Sequence, residues 1–136
     1  MGDLIAKPVT LAARGRILLV DEDVDLRVGL GLMLTCAGYE VQHVSDGTGA
    51  IALHRQRAFD VIVTEIHLPE TDGFEILQAL KGLPAAPKFV FLSRKSCFPS
   101  EVFLRMARHL GARHVLPKPF PPESLLAALR QVLGEG

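Results

Sequence analysis

The sequence predicts a doubly wound α/β domain in which five parallel strands alternate with five helices. Three observations carry this expectation. Short apolar runs of strand length recur along the chain, each is followed by a stretch with apolar residues at helical spacing, and the connections are short with no break in composition. A chain of 136 residues that is 49% hydrophobic suits one core rather than two. Right-handed crossovers put helices on both faces of such a sheet, and a functional site then belongs at the carboxyl ends of the strands.

The elements follow in order. Residues 1–15 mix Gly, Pro and small apolar residues without periodicity and read as a lead-in, with order not required of them; the domain proper is 16–136. Arg16-Ile-Leu-Leu-Val20 is the first strand, a run suited to burial on both faces. Leu26, Leu30, Met33, Leu34 and Ala37 recur at helical spacing over Asp25 to Ala37, and Gly38 supplies the stop. A strand over Tyr39 to Val44, a helix from Gly47 to about Arg57 and a strand over Asp60 to Thr64 come next. Pro69 to Gly73 reads as a turn and Phe74 to Lys81 as a short helix, which Pro84 and Pro87 bar from continuing. Lys88 to Leu92 is the fourth strand, and Ser100 caps a helix that Gly111 ends after Leu110. His114 to Leu116 is the fifth strand. Pro121 and Pro122 open the last helix, which carries Leu125, Leu126, Leu129, Val132 and Leu133 on its apolar side. This pattern is that of a flavodoxin-like (βα)5 fold.

Composition excludes several functions. Lys and Arg total 15 and Asp and Glu total 15, so no global positive field exists to hold nucleic acid or an acidic membrane. No apolar run approaches the roughly 18 residues needed to cross a bilayer, and no signal-peptide core is present, so a soluble cytoplasmic domain is expected. Cys36 and Cys97 lack CxxC spacing and read as free thiols of a reducing compartment. The five histidines show no metal-ligand spacing.

The chemistry gathers at the expected strand ends: Asp21, Glu22 and Asp23 after the first, Glu65 after the third, Ser93 after the fourth and Lys118 after the fifth. Clustered carboxylates repel, so such a site raises a pKa or gathers a cation, for which a hard ion such as magnesium is suited. Lys118 is a second, fixed compensation, and Ser93 offers a hydroxyl. The plain alternative for the acidic triplet is a solvated loop that caps a helix.

Ile17-Leu-Leu-Val-Asp-Glu-Asp23, Glu65-Ile-His-Leu-Pro-Glu-Thr-Asp-Gly73, the strand-end Ser93 and Lys118-Pro-Phe120 together resemble, in order, the four signatures of response-regulator receiver domains. The resemblance spans about Arg16 to Leu133. It implies a magnesium site formed by Asp21, Glu22, the residue at position 65 and the main-chain carbonyl of His67, with Glu22 the more direct ligand. It further implies that Ser93 and Lys118 contact a phosphoryl group, and that the Lys118-Pro119 bond is cis. The implied partners are a histidine kinase, a phosphotransfer protein or an output protein, met through residues 94–133, with homodimerisation as a further mode.

Two positions depart from the family. The phosphoacceptor position holds Glu65 rather than aspartate, and an added methylene displaces the nucleophile by about 1 Å, enough to cost about a hundredfold in an in-line transfer. The position of the aromatic switch residue holds Val115, which lacks the reach to follow the Ser93 hydroxyl. Arg94 to Pro99 also lengthens the connection after the fourth strand by about three residues.

Three functional readings follow. The first is an atypical receiver acting as a non-enzymatic interaction module with phosphorylation at Glu65 lost or reduced. The second is a phosphorylation-competent switch, or an engineered Asp-to-Glu mimic of one. The third, a metal-dependent phosphohydrolase, lacks an aspartate nucleophile or a general acid in a suitable place.

Overall fold

The structure, a computed structural model, describes residues 14–94 and 101–134. Five strands, β1 (Arg16–Val20), β2 (Glu40–Val44), β3 (Val61–Glu65), β4 (Lys88–Arg94) and β5 (Ala112–Lys118), form one parallel sheet in the order β2-β1-β3-β4-β5. The helices are α1 (Val24–Cys36), α2 (Gly47–Gln56), α3 (Gly73–Leu80), α4 (Glu101–Leu110) and α5 (Pro122–Val132). The flavodoxin-like doubly wound fold read from the sequence is therefore the fold observed.

The two faces follow from the period of two along each strand. Leu18, Val20, Ile62, Phe89 and Phe91 pack on one side with Ala50 of α2, Ile76, Leu77 and Leu80 of α3, and Ala107 of α4. Ile17, Leu19, Val61, Val63, Val90 and Leu92 pack on the other with Leu30 and Leu34 of α1 and Leu125, Leu129 and Val132 of α5. The central strands β1, β3 and β4 thus carry apolar runs, over residues 17–20, 61–63 and 89–92, because both of their faces are covered.

Local chemistry sets the element ends. Asp23 caps α1 by accepting from the Leu26 N–H at 3.1 Å. Asp72 and Glu75 form a reciprocal capping box that starts α3 at Gly73, one residue before the expected Phe74. β5 runs from Ala112 to Lys118, well beyond the expected His114 to Leu116, because pairing with β4 extends it through residues that have no apolar signature. It is an edge strand, so Pro117 costs no hydrogen bond on its open side. The end of the lead-in is tied to the domain: Arg14 donates its N–H to the Gly38 carbonyl at 3.0 Å, and the Gly15 carbonyl accepts from Glu40 N at 2.9 Å. Cys36 is an exposed free thiol. Cys97 and the expected cap at Ser100 lie outside the described residues.

The loop between β3 and α3 is pressed against the start of α2. A Cβ at Gly47 would meet the Thr71 carbonyl oxygen at 2.4 Å and the Thr71 Cβ at 2.9 Å. Gly47→Ala is therefore expected to lower the unfolding free energy by about 1–3 kcal/mol, the usual effect of overpacking a rigid contact. Urea unfolding measures this, and an unchanged midpoint would show that the loop yields without cost.

Candidate functional site

Three of the residues singled out in the sequence meet at the carboxyl edge of the sheet. Asp21 follows β1, Glu65 ends β3 and Lys118 ends β5. Lys118 Nζ lies 2.5 Å from Asp21 Oδ2 and 2.8 Å from Glu65 Oε2, so one ammonium spans two carboxylates from distant parts of the chain. Glu65 is 1% exposed and Asp21 5% exposed, which makes this ammonium the main compensation for two nearly dry charges. Only the contact to Asp21 has the alignment of a hydrogen bond, and among the described residues neither Glu65 oxygen has an aligned donor.

The Lys118 pKa reflects this setting. Burial opposes the charged ammonium, but the Asp21 hydrogen bond and the nearby charges of Glu65 and Asp21 outweigh that effect and hold the pKa above its ordinary 10.5. The Lys118-Pro119 peptide bond is cis. Asp21 is fully engaged: Oδ1 accepts from Asp23 N at 2.9 Å, Oδ2 takes Lys118, and its main-chain carbonyl accepts from the Arg27 guanidinium at 2.6 Å.

The other predicted residues take different places. Glu22 is exposed, with its carboxylate 4.0 Å from Arg94. Asp23 points to the helix it caps, so of the acidic triplet this one residue is accounted for by local structure. Ser93 is buried at the end of β4, one strand from Glu65, and is paired in register with Pro117. His67 follows β3 by two residues, in the loop that closes back on the sheet through the Gly73 N–H to Ile66 carbonyl bond of 2.9 Å. Val115 sits opposite Phe91 and packs partly buried against the core face that carries α2, α3 and α4.

Arg94 reads from the sequence as part of a connection and not as a site residue. It is the last residue of β4, with Nε 3.9 Å from Glu65 Oε1 and Nη2 4.0 Å from Glu22 Oε1. Arg94 and Lys118 both line a cleft of about 630 Å³ whose other wall is formed by Leu26, Leu30 and Phe120. A basic residue directly after a strand-end serine was the available signal.

A divalent ion requires several convergent oxygens with free lone pairs. Here both Asp21 side-chain oxygens already accept donors, Glu65 pairs with Lys118, and Glu22 lies towards Arg94. Among the described residues, no three His, Cys, Asp or Glu side chains converge as a metal cage. In this arrangement the acidic side chains face Lys118 and Arg94.

Comparisons with known proteins assign the chain to a family. The family model described as "Response regulator receiver domain" matches residues 17–130. The chain is a receiver domain of that family. It is 28% identical over 129 residues to a CheY-type chemotaxis protein of Rhizobium etli, covering 93% of this chain and 98% of that one. It is 32% identical over 118 residues to the response regulator MprA of Mycobacterium sp. strain KMS, covering 87% of this chain and 50% of MprA, so it spans about half the length of that relative. Among solved structures, the chemotaxis response regulator CheY4 of Vibrio cholerae is 31% identical with a TM-score of 0.77, over 86% of this chain and 97% of that one. A Francisella response-regulator receiver domain reaches a TM-score of 0.80 at 22% identity, over 88% of this chain and 97% of that one, a likeness of fold alone.

Receiver domains are signalling modules of two-component systems, generally not enzymes, and they interact with histidine kinases and output domains. As a class they generally bind Mg2+ at the phosphorylation site. In this receiver no helix among the described residues is long and apolar enough to cross a membrane.

Proposed function

We propose that this receiver is an atypical one: Glu65 stands at the phosphoacceptor position, phosphorylation is lost or much reduced, and the domain signals by protein interaction. The observation that carries this reading is the state of Glu65. Its carboxylate is 1% exposed, with one oxygen 2.8 Å from Lys118 and the other 3.9 Å from Arg94. A nucleophile must present a free lone pair in line with the transferring group, and a carboxylate held between two cations and displaced by a methylene is poorly placed to do so. In this reading Ser93 and Lys118 are the phosphoryl-contact equivalents and Val115 the switch equivalent. The Glu65 charge, already drawing on Lys118, imitates part of the phosphorylated state at one charge rather than nearly two.

The partner is a protein, a histidine kinase, phosphotransfer or output protein, met through residues 94–133, a stretch that includes the edge strand β5. The retention of Asp21 and Lys118 around the acidic residue at position 65 favours, as a second reading, a switch that tolerates glutamate.

Incubation with Mg2+ and a small phosphodonor, followed by intact-mass measurement, separates the two. No acyl phosphate is expected. A stable adduct on Glu65 would remove the first reading and establish the second.

A further inference from the structure

Glu65 poses a problem that Lys118 does not fully solve. Its carboxylate is 1% exposed, yet among the described residues neither oxygen has an aligned hydrogen-bond donor, and the Lys118 ammonium is shared with Asp21 at the shorter distance. A buried carboxylate in that state calls for a second cation. The residue that supplies it is Arg94, whose guanidinium lies at 3.9 Å from Glu65 and 4.0 Å from Glu22. We propose that Arg94 is a resident counter-cation: it takes the charge-compensating place of a divalent ion in this receiver's acidic pocket, so that metal and guanidinium compete for Glu22 and Glu65.

The geometry makes the competition direct. Arg94 ends β4 beside Ser93, and β4 is the neighbour of β3, so a long side chain leaving this point can lie over the end of Glu65. A guanidinium suits the task because it stays charged at any pH of interest and offers donors to two carboxylates at once. Three carboxylates, Asp21, Glu22 and Glu65, then face two cations, Lys118 and Arg94. A dication entering the same oxygens would meet the Arg94 charge at close range, and it would share Asp21 with the donors already on its two oxygens. Arg94 is 57% exposed on its side chain, so it can be exchanged without opening the core.

Isothermal titration of the whole chain with Mg2+ and with Mn2+ tests the proposal, with thermal unfolding as a second readout. Arg94→Ala is expected to bind either ion at least about tenfold more tightly than the native protein, the scale of one lost charge contact. Arg94→Lys, which keeps the charge, is expected to remain close to the native protein. Should Arg94→Ala fail to fold, Arg94→Gln keeps the stem and carries the same expectation. Equal affinities in the native protein and the neutral variants would overturn the proposal, as would saturable sub-millimolar Mg2+ binding by the native protein. The inference rests on Glu65 belonging to the pocket, not on its reactivity. An acyl phosphate on Glu65 would remove the functional reading and leave Arg94 standing, whereas metal binding indifferent to Arg94 would do the reverse.

Discussion

Lys118→Met is expected to destabilise the domain by about 3–5 kcal/mol near neutral pH, the usual consequence of removing one partner from a buried ion pair. The side chains of Asp21 and Glu65 are 7% and 2% exposed, and the ammonium that spans them is itself only 22% exposed, so solvent screens little of the loss. Methionine keeps the apolar length of lysine, which separates the charge effect from a cavity. The alkaline side gives a second signature. Because the folded pKa of Lys118 lies above its ordinary 10.5, the stability it confers is whole below that value and disappears as pH rises through the folded pKa. The native protein should therefore lose stability above pH 10.5 through this group, and the variant should not. Urea unfolding across pH reads both effects, and a loss below about 1 kcal/mol would mean that the pair is as weak as a surface one.

Glu65→Asp is expected to react with a small phosphodonor about a hundredfold faster than the native protein, since the shorter side chain withdraws the carboxylate by roughly the distance that misplaces it. It also draws the carboxylate back from Lys118, now at 2.8 Å, and from Arg94, now at 3.9 Å. Intact mass over time, with Glu65→Gln as the unreactive control, gives the rates. If the aspartate variant is as inert as the native chain, position 65 is not what limits phosphorylation, and the reading under which glutamate suppresses it falls.

Much of this was legible in the sequence because it depends on local pattern. The apolar runs of β1, β3 and β4 announce strands covered on both faces, and Gly38 and Gly111, both at positive φ, mark helix ends. β5 was underestimated because an edge strand carries no such run: Arg113 and Pro117 are exposed, and partnership with β4 rather than composition keeps them extended. α3 starts at Gly73, at the expected place near Phe74, and the Asp72–Glu75 capping box that starts it lies within what reads as a turn.

The residues of the pocket divide along the same line. Composition and periodicity were enough to establish a five-stranded doubly wound domain, to mark Asp21, Glu65 and Lys118 as strand-end polar groups, and to exclude a strongly basic nucleic-acid binder. They were silent on which carboxylate each cation serves, on the turning of Asp23 to its helix and Glu22 towards solvent, and on the arrival of Arg94 above Glu65. Such pairings join residues as far apart as Asp21 and Lys118, and they depend on strand order and side-chain direction in space, which no stretch of neighbouring residues encodes.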